Sequence, residues 1–138
     1  MAEGVFEQVA RSRGMEVQVD SAGTGHWHVG EPPDERGQAK LLAEGIDISA
    51  QRARQICTAD FDRFDLILAM DNQNHTNLLR LAEGPAKEKV KLFAGFANLP
   101  GVHEIPDPYY GGDDGFDRVF DLINQAVNGL ADYIQSRP

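Results

Sequence analysis

A short loop in the last third of the chain combines one carboxylate with two aromatic side chains. Its sequence is Ile105-Pro106-Asp107-Pro108-Tyr109-Tyr110-Gly111-Gly112. The two prolines restrict the backbone on both sides of Asp107 and so hold its carboxyl group in place. Such a group can act as a general acid, and the adjacent tyrosines can form the wall of a cleft that accepts an aromatic ring. The alternative is an ordinary Asp-Pro turn with two surface tyrosines, and this segment alone favours that alternative.

A second, glycine-rich loop places Trp27 between His26 and His28. A single tryptophan in such a loop favours contact with a ligand or partner, and the alternative is a ring folded back over a sheet edge. The two histidines do not make a metal site, because no other histidine or cysteine lies at a companion spacing and His75 and His103 are isolated. We expect no metal and no other cofactor.

The single cysteine begins the segment Cys57-Thr58-Ala59-Asp60-Phe61-Asp62-Arg63, in which a thiol and an arginine are six residues apart. A phosphate-binding loop of this kind must turn its backbone amides toward a dianion. This segment has no glycine to make such a turn, and its two aspartates repel phosphate. We therefore predict that Cys57 is a small, partly buried structural residue and not a nucleophile.

The elements that position these loops follow from the hydrophobic pattern. Alternation over 15–19 and the apolar runs 65–70 and 90–93 predict strands, and Ile46 and Ile48 suggest a short extended piece. Helical spacing and capping residues predict helices over 1–14, 34–45, 71–81 and 116–134, with a helical turn after Thr58. In the second helix we expect Ala39, Leu42 and Ala43 to form the buried face.

Helices that alternate with strands indicate an open α/β fold with a parallel sheet flanked by helices. Ligands bind such sheets outside the carboxyl ends of the strands, so function should lie in the loops there. Three loops qualify: Ser21 to Glu31, the start of the helix after Met70, and Pro106 to Gly112.

Composition limits the class of protein. The 138 residues are one domain's worth, spanning 1–138, with 41% hydrophobic and 25% charged residues. The net charge of −9 opposes binding to nucleic acid or to an anionic membrane surface. One cysteine excludes an internal disulfide, and the first residues have neither the basic start nor the apolar run of a secretory signal. We expect a cytoplasmic protein.

Motifs along the whole chain resemble those of the low molecular weight protein tyrosine phosphatases, and they occur in the family's order. They are Asp20-Ser21-Ala22-Gly23-Thr24, Pro32-Pro33-Asp34-x-Arg36, Gly45-Ile46-x-x-Ser49, Arg52-Ala53-Arg54-Gln55-Ile56, Asp60-Phe61-x-x-Phe64-Asp65, Leu68-Ala69-Met70-Asp71 and Asp107-Pro108-Tyr109-Tyr110-Gly111.

The resemblance implies a four-stranded parallel sheet flanked by helices and a cysteine-dependent hydrolysis of phosphotyrosine without metal. It implies that Asp107 protonates the leaving phenolate and then activates water. By the same resemblance Trp27, Tyr109 and Tyr110 bind the substrate, which would be a phosphotyrosine protein or a small aryl phosphate.

One part of the family pattern is not found. The family begins with a strand and a Cys-x5-Arg-Ser phosphate loop, and Met1 aligns just after the point where that loop ends. We therefore expect an N-terminally truncated domain that lacks the nucleophilic cysteine, the phosphate-binding arginine and the first strand. The full-length form would be the phosphatase, and the chain as given would be inactive.

Two other functions stay open. One is a non-catalytic relative that binds phosphorylated or other partners, and the other is an arsenate reductase on the same fold. A binding protein has no need for the acid Asp107, and arsenate reduction relies on additional cysteines. Loss of a strand from the sheet would also leave neighbouring backbone groups unpaired, so we expect a destabilised fold or a homodimer formed through the exposed sheet.

Overall fold

The computed structural model of the chain describes residues 1–24, 29–106 and 112–137, with side chains in the last range described from residue 115 onward. In chain order the described elements are α1 (Ala2–Ser12), α2 (Glu35–Ala43), α3 (Asp60–Arg63), β1 (Ile67–Ala69), α4 (Asn72–Leu81), β2 (Val90–Leu92) and α5 (Gly112–Ser136). Two 3-10 helices flank β2, at Gly84–Lys89 and Phe93–Ala97. The alternation of helices with parallel strands confirms the predicted α/β class.

The sheet of the described residues has two parallel strands. Ile67 lies opposite Val90, Leu68 opposite Lys91 and Ala69 opposite Leu92. Both strands fall inside the predicted apolar runs, and α4 forms the crossover that a parallel pair requires. The resemblance implied four strands, so the described part of the chain contains half of them.

The strand predicted over 15–19 is wrong for the described structure, because no strand is assigned there. The alternating pattern has another cause: Met15 and Val19 pack against the core while Val17 is 37% exposed. A strand needs a neighbour for its backbone groups, and the segment that follows makes a single isolated bridge, from Gly23 to Gln55. Ile46 and Ile48 are also buried without forming a strand.

The main core lies between α1, α5 and the segment after α2. Its buried side chains include Val5, Phe6, Ala10, Leu41, Ile46, Ile48, Phe93, Val119, Ile123, Val127 and Leu130. The last helix predicted from helical spacing is confirmed, and every third or fourth residue from Phe116 to Leu130 is buried. A smaller cluster of Phe61, Ile67, Leu78 and Val90 joins α3, the sheet and α4.

Two helix starts were predicted correctly and one helix face was not. The carboxylates of Asp34 and Asp71 accept hydrogen bonds from the backbone N–H of Arg36 and Asn74 and so cap α2 and α4. Residues 39, 42 and 43 of α2 are exposed, whereas Gly37 and Leu41 are buried. The turn predicted after Thr58 forms as α3, with Ala59 at its N-cap.

None of the described helices is both long enough and apolar enough to cross a bilayer.

Candidate active site

The second and third predicted loops meet where β1 ends. The backbone N–H of Ile105 donates to the carbonyl oxygen of Met70 at 2.7 Å. The Asn72 side-chain amide donates to the Glu104 carboxylate at 3.2 Å. These bonds hold the residues that precede Asp107 beside the start of α4, at the carboxyl end of β1.

The first predicted loop is anchored on both sides of its undescribed tip. The backbone N–H of Gly23 donates to Arg54 O at 2.8 Å, and that of Gly30 donates to Ala53 O at 2.7 Å. Ala53 N–H donates in return to Glu31 O at 2.8 Å. Both flanks of the loop therefore bond the same short segment, residues 53–54.

A cleft of about 520 Å³ separates the first loop from the helix that follows β1. Its lining consists of Thr24 together with Gln73, Asn74, Asn77, Arg80 and Leu81 of α4, and we call it the α4 cleft. The first and second predicted loops thus lie side by side. The third loop is tied to Met70, the residue that follows β1.

The beginning of α5, which follows the third loop, is fixed against α2. The Lys40 ammonium lies 2.6 Å from the Asp117 carboxylate. This hydrogen bond raises the pKa of Lys40 above its usual value. A Cβ built on Gly37 would lie 3.6 Å from the Phe116 ring and 3.7 Å from Met1, so the helices approach closely there.

An arginine joins the first loop to α3. The Arg54 guanidinium makes two hydrogen bonds to the Asp60 carboxylate, at 3.0 and 3.1 Å, and its Nε bonds Asp20 at 3.0 Å. Asp20 in turn accepts from the backbone N–H of Ser21. The network holds the entry to the first loop, and we call Asp20, Arg54 and Asp60 the arginine network.

Asp60 is the buried member of this network, at 3% exposure. Burial alone would raise the pKa of its carboxyl group, but hydrogen bonds from Arg54 and from the Cys57 backbone N–H outweigh it and lower the pKa below its usual value. The same pairing raises the pKa of Arg54. Asp60 is therefore kept in its charged form, and it serves to hold Arg54 and the turn at Cys57 in place.

The Cys57 segment does not form an anion cradle. Its backbone N–H groups from Asp60 to Arg63 donate to carbonyl oxygens of residues 57–59, which closes the turn of α3. Those amides are no longer available to a phosphate. Our prediction that Cys57 would be partly buried is wrong, since its side chain is exposed.

The four residues that the resemblance assigns to the site, Trp27, Asp107, Tyr109 and Tyr110, lie outside the described residues. The structure describes the flanks of their loops. Sequence reasoning missed the positioning role of Arg54 and Asp60, although both belong to motifs of the resemblance. An arginine six residues before an aspartate at the start of a helical turn was the available signal.

In the described part of the chain, no three His, Cys, Asp or Glu side chains are grouped closely enough to hold a metal ion.

A family model described as low molecular weight phosphotyrosine protein phosphatase matches residues 1–137. The chain belongs to that family.

Named relatives agree with this assignment. The low molecular weight phosphotyrosine protein phosphatase of Schizosaccharomyces pombe is 43% identical over 94% of this chain and 85% of its own. The low molecular weight protein-tyrosine phosphatase A of Mycobacterium tuberculosis is 40% identical over 99% of this chain and 84% of its own. A crystal structure of a protein tyrosine phosphatase from Entamoeba histolytica superposes with a TM-score of 0.93 at 31% identity, over 99% of this chain and 87% of that one.

Proposed function

We propose that the chain carries the general acid and the aromatic cleft of an enzyme that hydrolyses phosphotyrosine. Three observations support this. The chain belongs to a family described by that activity. Two relatives with identities of 40% and 43% are named as such phosphatases. The residues before Asp107 are tied to the end of β1, and Thr24, which precedes the Trp27 loop, lies across the α4 cleft from the helix that follows β1.

In the proposed reaction a cysteine thiolate attacks phosphorus and the bond to the phenolic oxygen breaks. Asp107 gives its proton to that oxygen, because a phenolate with a pKa of about 10 is a poor leaving group. The Asp107 carboxylate then accepts a proton from water, which attacks the cysteinyl phosphate and releases inorganic phosphate. Trp27, Tyr109 and Tyr110 hold the substrate ring.

We propose that the nucleophile is not among these 138 residues. They contain one cysteine, and the amides around Cys57 are used within α3. The 138 residues alone are then inactive, and turnover needs a strand and a Cys-x5-Arg-Ser loop ahead of Met1. A thiolate nucleophile also suits a reducing cytoplasm.

We propose a phosphotyrosine protein or a small aryl phosphate as the partner. The net charge of −9 opposes nucleic acid and anionic membranes as alternatives. Strand edges of the sheet also favour association between two copies of the chain.

The test compares two proteins in an aryl phosphate assay. One is the 138-residue chain, and the other, here termed the extended chain, carries a strand and a Cys-x5-Arg-Ser loop of the family pattern ahead of Met1. We expect turnover by the extended chain only, unchanged by Cys57→Ser. Turnover by the 138 residues that disappears with Cys57→Ser would falsify the assignment of the nucleophile. If the extended chain folds but shows no turnover, the proposed hydrolysis is contradicted and a non-catalytic binding role is favoured.

A further inference from the structure

The α4 cleft contains polar groups that the fold does not use. The side chains of Gln73, Asn77 and Arg80 make no hydrogen bond or ion pair to any described residue. Two side chains at the start of the helix are already bonded, since Asp71 caps α4 and Asn72 donates to Glu104. Gln73, Asn77 and Arg80 lie together on the side of α4 that faces the cleft.

Helical spacing explains this grouping. Residues 73, 77 and 80 follow one another at intervals of four and three, which places them on one face of α4. The same face ends with Leu81, which is 41% exposed. The cleft thus has amide groups along its length and a cation beside an apolar side chain at its far end.

We propose that the α4 cleft binds the peptide flank of the phosphotyrosine substrate, with an acidic side chain of the peptide at Arg80 and an apolar one on Leu81. The proposal rests on the phosphatase function proposed above and names its substrate class: a phosphotyrosine segment with an acidic flank.

The dimensions of the cleft fit an extended peptide. Residues 73 and 80 are separated by about 10 Å along the helix axis. An extended chain covers that distance in about three residues. Primary amides in side chains can pair with both the N–H and the C=O groups of a peptide backbone, so Gln73 and Asn77 suit the intervening length.

The charge of Arg80 is what makes the cleft selective. The chain as a whole carries −9 and repels acidic peptides at long range. At about 0.15 M salt that repulsion is screened beyond about 8 Å, so a contact at Arg80 is felt locally. No described carboxylate pairs with Arg80 and competes for it.

The test is a binding measurement on the 138-residue chain labelled with ¹⁵N. Two phosphotyrosine peptides are titrated, one with glutamate and leucine on both sides of the phosphotyrosine and one with glutamine in place of glutamate. We expect the glutamate peptide to shift the amide signals of Thr24 and residues 73–81 and to bind about two- to five-fold more tightly. An unphosphorylated glutamate peptide should shift the same signals.

Variants of two arginines separate a local contact from overall charge. Arg80→Glu and Arg80→Gln should remove the preference for glutamate, and Arg80→Lys should keep it. Arg118→Glu is the matched control, because Arg118 is exposed on α5 and makes no hydrogen bond or ion pair with a described residue. It should leave the preference intact.

Two results would overturn the inference. One is equal affinity for both peptides, and the other is an equal loss of the preference for glutamate in Arg80→Glu and Arg118→Glu. Neither depends on turnover. If the extended chain hydrolyses aryl phosphate while these signals stay fixed, the cleft assignment is wrong and the function stands. If the signals shift but the extended chain does not hydrolyse aryl phosphate, the cleft assignment stands and the proposed phosphatase function is wrong.

Discussion

Arg54 shows how a single side chain can hold a loop that performs chemistry elsewhere. It bonds Asp20 at the entry to the first loop and Asp60 in α3, and its neighbour Ala53 pairs with the far side of the same loop. Asp60 is almost fully buried, so its charge needs this partner. Arg54 is a positioning residue, since it acts on the proposed site through the loop.

Replacement of Arg54 by alanine should destabilise the fold. It leaves the buried Asp60 carboxylate without its charged donor, which costs about 2 kcal/mol of unfolding free energy. Urea denaturation of the 138-residue chain measures this loss. Arg118→Ala serves as the control and should change stability by less than about 0.5 kcal/mol. Equal stability of the two variants would contradict a supporting role for the arginine network.

The lowered pKa of Asp60 predicts a loss of stability in acid. The unfolded chain binds the Asp60 proton at a higher pH than the folded chain does, so it takes up more protons as the pH falls. The stabilisation is present above the unfolded pKa of about 3.9 and is lost as the pH falls through the lower folded value. Unfolding free energies measured from pH 6 downward should fall less steeply in Asp60→Asn than in the parent chain.

The sequence predicted which residues cap helices, but it did not predict which charged side chains pair with one another. Asp34 and Asp71 were recognisable as caps because a cap acts on a backbone group two or three residues away. The pairing of Asp20 with Arg54 joins residues far apart in sequence, and no local rule specifies it. The four proposed site residues were assigned through the family resemblance, since the segment around Asp107 alone favoured an ordinary turn.

At the scale of elements, α5 sets the spacing of the core against the 3-10 helix Phe93–Ala97. A Cβ built on Gly129 would overlap the carbonyl oxygen of Phe96. The absence of a side chain at Gly129 therefore allows the helix to approach a backbone at this point. The 3-10 helix is thereby held directly after β2, at the carboxyl edge of the sheet.

Gly129→Ala should destabilise the protein in spite of the better helix propensity of alanine. Propensity favours alanine by about 1 kcal/mol in a helix interior, but the overlap with Phe96 forces the helix outward and outweighs this gain. Thermal unfolding followed by circular dichroism should show a lower Tm. Gly95→Ala is the matched control, because a Cβ there meets nothing within 4 Å. A Tm raised by Gly129→Ala would show that the helix is not closely packed.

Elements with an unambiguous hydrophobic pattern could be predicted from the sequence. Elements whose conformation or buried face depends on neighbouring elements could not. The apolar run at β1 predicts a strand, and the long apolar stripe of α5 predicts a helix. In α2 the pattern permits two faces, and the contact of Gly37 with Phe116 of α5 selects the one with Leu41. The 15–19 segment has the alternation of a strand and lacks a partner in the described sheet.

For the whole molecule, the two-stranded sheet predicts self-association of the 138-residue chain. Among the described residues each strand has one strand neighbour, so the outer edges of β1 and β2 have no strand partner there. Dimers joined through such edges bury their backbone groups, and their stability depends on protein concentration. Sedimentation velocity and thermal unfolding over a hundred-fold concentration range should both show this dependence. A monomer with a high, concentration-independent Tm would contradict it.

The most direct measurement concerns the acid proposed for the whole reaction. In the extended chain, kcat/KM, which covers only the steps through departure of the phenol, is compared between the parent and Asp107→Ala for two substrates, phosphotyrosine and an aryl phosphate whose phenol is much more acidic. Loss of the acid should cost about 10²- to 10⁴-fold for phosphotyrosine and far less for the acidic phenol, whose departure needs no proton. Equal losses for the two substrates, or no loss, would contradict the assignment of Asp107 and with it the proposed mechanism.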